Sequence, residues 1–377
     1  MTDDSALYIG LISGTSADSI DAALVSFAGG APKVTATYAH PWPAPLRERM
    51  LALMQGEAAL DLDAFGRLDV EIAHCFAGAA LQLLQQSGTP PASVRAIGSH
   101  GQTVRHRPTG AYPFTLQLGD ASVIAEHCAI DVVADFRRAD IAAGGQGAPL
   151  LPALHAMLLA RDGKSRVVLN LGGIANITVL NADGSVLGFD TGPANGLLDA
   201  WCLRYRGEPF DRDGAFAASG TVATSLLDAL LADPYFALAP PKSTGREHFH
   251  LNWLAAHPHI NDLSPADVQA TLLELTARSV SETITQQTPP SADVLVCGGG
   301  THNRRLMQRL AELLAPRVVS STAAHGIDPD FLEATAFAWL ARQRLLGLPG
   351  NLPAVTGARG PRVLGAIYSA PDAGASA

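Results

Sequence analysis

Apolar residues fall into short, β-branched runs separated by small-residue turns, and the arrangement occurs twice. In the first half, Ala6 to Ser13 and Ile20 to Phe27 read as strands joined by Gly14-Thr15-Ser16-Ala17-Asp18-Ser19, and Lys33 to Ala39 follows after Gly29-Gly30. In the second half, the strands are Val167 to Leu171, Ile177 to Leu180 and Ser185 to Phe189, with turns at Gly172-Gly173 and Asn181-Ala182-Asp183-Gly184. Gly, Asn and Asp reach φ > 0 at little cost, so they mark reversals. The last of these strands delivers Asp190 to its end. Thr191-Gly192-Pro193 then predicts a helix over Pro193 to Tyr205, since proline is accepted in a first helical turn.

Helical spacing comes next in both halves. Leu62, Phe65, Leu68, Ile72, Phe76 and Leu83 predict a long helix over Leu60 to Gln86, after a short one over Pro45 to Leu53. Ala215 to Leu231 and a stretch from Ser264-Pro265 to about Gln286 are the later counterparts, the second opening on a capping-box pattern. Each half then runs a short strand into a glycine turn. Val94 to Ile97 leads to Gly98-Ser99-His100-Gly101-Gln102-Thr103, and Val294 to Cys297 leads to Gly298-Gly299-Gly300-Thr301-His302-Asn303. A last strand and helix close each half: Ile130 to Ala134 with Ala148 to Leu159, and Arg317 to Ser320 with Asp330 to Leu346. The repeated order β-β-β-α-α-β-(α)-β-α predicts an α/β chain of two duplicated lobes, with mixed sheets flanked by helices and a ligand cleft between them. The boundaries expected are 1–150 and 151–377, with the helices 148–160 and 330–346 crossing near the interface.

Composition narrows the function. Apolar residues make up 47% and charged residues 16%, enough to bury two cores. A net charge of −9 disfavours nucleic acid and anionic membranes as partners. Cys75, Cys128, Cys202 and Cys297 stand alone, with no zinc or redox spacing, which favours a reducing compartment. The acidic start and the lack of a long apolar run lead us to expect a cytoplasmic protein.

Several stretches carry candidate chemistry, each beside a plainer reading. Gly14-Thr15-Ser16 offers hydroxyls and uncrowded N–H groups suited to phosphate, with Asp18 and Asp21 close by; it also reads as a polar hairpin tip. Gly298-Gly299-Gly300 lets a ring or phosphate approach the backbone, or simply packs a strand against a helix. Asp190 is the candidate general base, or else a helix cap. Glu333 is a second carboxylate, or a first-turn residue stabilising its helix. Arg137 and Arg138, before Gly144-Gly145-Gln146-Gly147, offer a guanidinium to a substrate carboxylate, or form a solvated loop. His248, His250, His257 and His259 lack a third metal ligand and read as surface residues.

Together these motifs resemble the anhydro-N-acetylmuramic acid kinases, of the actin, Hsp70 and sugar-kinase superfamily. The likeness rests on Gly10-Leu-Ile-Ser-Gly-Thr-Ser16, Gly98 to Thr103, Asp131 to Arg137, Ala143 to Pro149, Asn170 to Asn176, Gly188 to Pro193, Lys242-Ser-Thr-Gly-Arg246, Cys297 to Gly300 and Glu333 to Trp339. It implies actin/Hsp70-like (RNase H-like) lobes and a phosphotransferase of cell-wall recycling. Such an enzyme converts 1,6-anhydro-N-acetylmuramic acid, ATP and water into N-acetylmuramic acid 6-phosphate and ADP. It also implies roles. ATP would meet Gly14, Thr15, Ser16, Ala17, Asp18, Ser19, Ile20, Asp21, Gly172, Gly173, Gly298, Gly299, Gly300 and Asn303. Mg²⁺ would meet Asp18, and the sugar His100, Gln102, Arg137 and Gln146. Asp190 would be the catalytic base, with Glu333 assisting. The family usually has Gly where Ser19 stands, and a left-handed φ there would cost about 1 kcal/mol. A homodimer stays open, as do two other activities: a kinase acting on a free hydroxyl of another sugar, and a nucleotide-gated regulatory protein.

Overall fold

The structure, a computed structural model, describes residues 6–14, 17–56, 60–160, 163–240, 242–245, 248–258 and 260–371, the side chain of Gln55 excepted. The chain divides into two units, one made of the residues up to Leu154 together with Phe331–Ala377, the other of His155–Asp330.

The first unit opens with β1 (Leu7–Ser13), β2 (Ser19–Ser26) and β3 (Lys33–Pro41), an antiparallel meander. Two helices follow, α1 (Ala44–Gln55) and α2 (Leu62–Ser87). Asp61 caps α2 by accepting from Ala64 N–H, and Gly88 ends it at φ 64°. The face carrying Leu68, Ile72, Phe76 and Leu83 is buried against β1, β2 and β3, as the spacing requires. β4 runs from Val94 to Arg107, ten residues beyond the predicted end, so the glycine motif at 98–103 is strand and not turn. Its far half is held by β5 (Phe114–Leu118), a strand that the pattern of apolar residues did not reveal. Then come α3 (Ala121–Cys128), β6 (Val132–Ala134), α4 (Arg138–Ala142) and α5 (Leu151–Leu159).

The second unit repeats the plan. β7 (Arg166–Leu171), β8 (Ile174–Leu180) and β9 (Val186–Pro193) form its meander. Pro193 closes β9, and α6 (Asn195–Arg206) starts two residues later than the sequence suggested. The helix expected over Ala215 to Leu231 is two, α7 (Ala215–Ala218) and α8 (Thr224–Leu231). Gly220, between them, lies so close to Ala266 O that a Cβ could not fit. After α9 (Pro234–Ala237) and α10 (Leu251–Ala255) comes α11 (Pro265–Gln287), capped by Ser264 Oγ, which accepts from Asp267 N–H at 3.1 Å. β10 (Asp293–Cys297), α12 (Arg304–Leu314) and β11 (Val319–Ser321) complete the unit.

The chain then returns to the first unit through α13 (Leu332–Leu345), α14 (Pro353–Thr356) and β12 (Ala366–Tyr368). The expected boundaries had placed everything after 151 in the second lobe. Two contacts draw the C-terminal segment back. β12 pairs antiparallel with β6, and α13 lies on β1 and β4. Gly10 and Gly98, opposite each other on β1 and β4, make that approach possible: a Cβ on either would strike the α13 backbone at Ala334 or Phe337.

Strand order is β3-β2-β1-β4-β6-β12 in one sheet and β9-β8-β7-β10-β11 in the other. In both sheets the fourth and fifth strands lie parallel to the first and the second antiparallel. The two sheets share one strand order, as the repeated order of elements in the sequence predicts. Among the described residues, no helix is long and apolar enough to cross a membrane.

One buried group makes stability pH-dependent. His155, 1% exposed, places Nδ1 2.8 Å from Thr178 Oγ1, while its Nε2 has no partner among the described residues. Burial pushes its pKa down from 6.5 to about 3. The folded state therefore binds fewer protons than the unfolded one below pH 6.5. The stability from keeping this ring neutral is complete above 6.5 and is lost as pH falls toward 3, at up to about 1.4 kcal/mol per pH unit. Denaturant melts at pH 7.5 and 5.0 should show a smaller pH loss for His155→Gln, by about 2 kcal/mol. Equal losses would mean that the acid sensitivity lies elsewhere.

Candidate active site

The β1–β2 turn begins at Gly14; Thr15 and Ser16 lie outside the described residues. Ala17 takes φ 49°, and its N–H donates to Gly14 O at 3.1 Å. The left-handed residue is thus Ala17, while Ser19 lies in β2 and donates from Oγ to Asp21 Oδ1 at 2.7 Å. The strain at Ala17 is on the order of 1 kcal/mol. Arg47, on α1, holds this turn through Nε to Ala17 O at 2.6 Å and Nη2 to Asp18 Oδ1 at 3.0 Å. Gln102 is fully buried; its Nε2 reaches Gly14 O at 3.3 Å, and its Oε1 has no partner among the described residues. A Cβ on Gly14 would meet nothing within 4 Å among the described residues, so the backbone at Gly14 is open to an incoming anion. The Ile20 side chain is in the core, which leaves only its main chain, paired in the β2 ladder.

Arg137 stands where β6 passes into α4. Its Nε donates to His100 Nε2 at 3.0 Å and its Nη1 to Gly147 O at 2.8 Å. Burial lowers its pKa to about 10, while Glu333 and Asp140 oppose the shift, so it is cationic at neutral pH. His100 is buried, and its Nδ1 lies 2.8 Å from Gly101 O. The arrangement fixes the tautomer: Nδ1 donates to the carbonyl and Nε2 accepts from the guanidinium. Burial first, and Arg137 second, drive its pKa well below 6.5, so the ring is neutral. Both nitrogens are engaged, which makes His100 a support for Arg137 more than a direct ligand. Its ring packs 4.7 Å from Phe337 of α13, the helix whose first turn carries Glu333. Gln146 is exposed, and its N–H donates to Thr356 O at 2.8 Å.

Asp190, half-buried in β9, is not a helix cap. The cap position of α6 is Ala194, whose φ of −131° is also outside the left-handed region. The segment at 242–244 runs beside Asp190: its Oδ2 accepts from Thr244 N–H at 3.0 Å, and its N–H donates to Lys242 O at 3.1 Å. Tyr235 OH donates to Asp190 O at 2.8 Å. Lys242 Nζ in turn donates to Tyr235 O at 3.1 Å and Phe236 O at 3.2 Å, and lies 4.7 Å from the centre of the Tyr235 ring. Burial, and then the charge of Asp190, push the Tyr235 pKa up, so the hydroxyl stays a donor. Lys242 and Thr244, within a stretch that carries the family likeness, thus have Asp190 as their partner.

The remaining glycines do different work. Gly173 O accepts from Ala194 and Gly196 N–H, and Gly172 O from Asn195 N–H, at 3.0–3.1 Å. The first N–H groups of α6 are therefore consumed by the β7–β8 turn and do not face a ligand. A Cβ on Gly172 would stand in ordinary contact with Ile174 O at 3.5 Å, and one on Gly299, beyond β10, with Asn195 Nδ2 at 3.8 Å. Gly298 takes φ 82°, and a Cβ there would strike Asn170 and Leu171. Gly300 is buried against Leu171. Asn303 Oδ1 accepts from Leu306 N–H at 3.1 Å and caps α12. Among the described residues, no group of three His, Cys, Asp or Glu side chains could hold a metal ion. Of the four histidines read as surface residues, His250 caps α10 and His248 pairs with Asp233 at 3.1 Å; His259 lies outside the described residues.

The sequence profile of the anhydro-N-acetylmuramic acid kinases matches residues 6–370. A protein named anhydro-N-acetylmuramic acid kinase from Xanthomonas campestris pv. campestris (strain 8004) is 58% identical over 97% of this chain and 98% of its own. One of the same name from Vibrio parahaemolyticus is 50% identical over 96% and 98%. Among solved structures, (R)-2-hydroxyglutaryl-CoA dehydratase component A of Acidaminococcus fermentans overlaps 91% of this chain and 100% of its own, at TM-score 0.49 and 11% identity. On the profile match and on identity over nearly its whole length, this chain belongs to the anhydro-N-acetylmuramic acid kinase family.

Proposed function

We propose that the protein is a kinase of cell-wall recycling that takes 1,6-anhydro-N-acetylmuramic acid, ATP and water to N-acetylmuramic acid 6-phosphate and ADP, in the cytoplasm. The observation that carries the mechanism is the tethering of Asp190, with one carboxylate oxygen on Thr244 N–H and both backbone groups bonded. A base held in this way keeps its orientation and needs no rearrangement at the moment of proton transfer.

The substrate dictates the steps. Its O6 is tied to C1, so no free 6-hydroxyl exists to be phosphorylated. Asp190 takes a proton from water, and the water oxygen bonds to C1. The C1–O6 bond breaks, and its electron pair goes to O6. O6 bonds to the γ-phosphorus as the bond to the β-phosphate oxygen breaks and ADP leaves. The proton on Asp190 passes to solvent. Arg137 receives the lactyl carboxylate, with His100 behind it. Glu333, whose charge acts on Arg137, aids in placing the sugar or the water. Gln102 and Gln146 serve the sugar's polar groups; the unpartnered Gln102 Oε1 is an acceptor for a hydroxyl or an amide N–H.

The open backbone at Gly14, and the uncrowded backbone at Gly172 and Gly299, suit phosphate oxygens, which need close N–H donors and little side chain in the way. Asp18 is exposed and paired with Arg47, and a Mg²⁺ there would rest chiefly on phosphate oxygens and water. When bound, it would neutralise charge on the transferring phosphoryl group. The test is ADP release by the purified protein with ATP and Mg²⁺. Release should require the anhydro sugar and give an equal amount of N-acetylmuramic acid 6-phosphate by mass spectrometry. ADP release that ignores the sugar, or a product still holding the anhydro ring, would refute the reading.

A further inference from the structure

Asp140 is 0% exposed, and it stands apart from the steps above. Burying a carboxylate costs several kcal/mol unless it is fully bonded. Here Oδ2 accepts from Gly147 N–H at 2.7 Å, while Oδ1 accepts from Asn351 Nδ2 at 2.6 Å and Thr356 Oγ1 at 2.7 Å. Two of the three donors come from a segment more than 200 residues away. That segment binds the same loop twice more, through Gln146 N–H to Thr356 O at 2.8 Å and Arg359 N–H to Ala143 O at 2.9 Å. The loop is shaped to fit. A Cβ on Gly145 would strike Asp140 Oδ2, and Gly147, at φ 68°, would strike Ile141. The carbonyl of Gly147, the residue whose N–H Asp140 holds, is the acceptor for Arg137 Nη1.

We propose that Asp140 is a positioning residue for Arg137, and that Asn351–Arg359 is the clamp through which it acts. The inference rests on the reading of Arg137 as the ligand of the substrate carboxylate. Backbone bonds alone would hold a loop in place. A buried anion adds something further: it fixes Gly147 and hence the guanidinium direction, and it supplies negative charge near a cation that burial disfavours. A bidentate guanidinium–carboxylate contact depends on such aiming, because both N–H bonds must align together.

Thr356→Val removes one bond to Oδ1 at nearly constant volume, and Thr356→Ser restores the hydroxyl. Calorimetry should show Thr356→Val weakening 1,6-anhydro-N-acetylmuramic acid about 5- to 50-fold, with ATP affinity within twofold and Thr356→Ser near the parent. Added to Arg137→Ala, Thr356→Val should change sugar affinity no further, because its effect runs through that side chain. If Thr356→Val does not fold, Asn351→Ala removes the other bond to the same oxygen and stands in for it. Unchanged sugar affinity in a folded clamp variant, where Arg137→Ala loses it, overturns the positioning role alone. Unchanged affinity in Arg137→Ala overturns the reading beneath it. A clamp effect that persists in full without Arg137 overturns the coupling.

Discussion

Asp190→Asn should bind ATP and the anhydro sugar nearly as the parent does, while kcat falls about 10²- to 10⁴-fold. The substitution keeps the size of the side chain and an oxygen that can accept from Thr244 N–H. The bonds from Tyr235 OH and to Lys242 O involve the main chain and are untouched. What is lost is basicity. Water must shed a proton as it bonds to C1, and without a base the barrier rises by roughly 3 to 5 kcal/mol. Calorimetry gives the two affinities and a coupled ADP assay gives kcat. A variant turning over at the parent's rate would make Asp190 a structural residue of β9.

Arg137→Ala should raise KM for the sugar about 10²- to 10⁴-fold and leave KM for ATP within twofold. A charge-assisted contact contributes about 1.5–3 kcal/mol per hydrogen bond, and a guanidinium offers two to a carboxylate. Arg137→Lys should recover only part of this, because an ammonium keeps the charge and loses the fork. His100 enters here without a charge of its own. Its pKa is well below 6.5, so sugar KM should show no inflection from this ring between pH 6 and 8. Weakened ATP binding in Arg137→Ala would place the Asp131–Arg137 motif at the nucleotide instead.

The two meanders were legible because strand and turn are both written locally. Val167 to Leu171 is apolar and β-branched, and Gly172-Gly173 turns it whatever else the chain does. β4 beyond Ile97 was not legible, since Gly98 to Thr103 lacks strand character of its own and is held extended by pairing with β1 and β5. The return of residues 331–377 to the first unit was hidden for a similar reason. The small side chains of α13 suggested close packing, but only Gly10 and Gly98 on distant strands say against what. The place of Asp190 toward the end of a strand was legible from the run before it. Tyr235 and Thr244 were not, because each meets Asp190 about 50 residues away through a single hydrogen bond. Asn303 also has a role that the glycine run does not show: it precedes a helix and caps it.

The central claim is that water attacks C1 while O6 receives the phosphoryl group. One turnover in ¹⁸O-water, quenched before the product sugar exchanges its anomeric oxygen, tests it directly by mass spectrometry and ³¹P isotope shift. The account predicts one ¹⁸O at C1 and none on the phosphate of N-acetylmuramic acid 6-phosphate. ¹⁸O on that phosphate would mean that water attacks phosphorus, and would contradict the account.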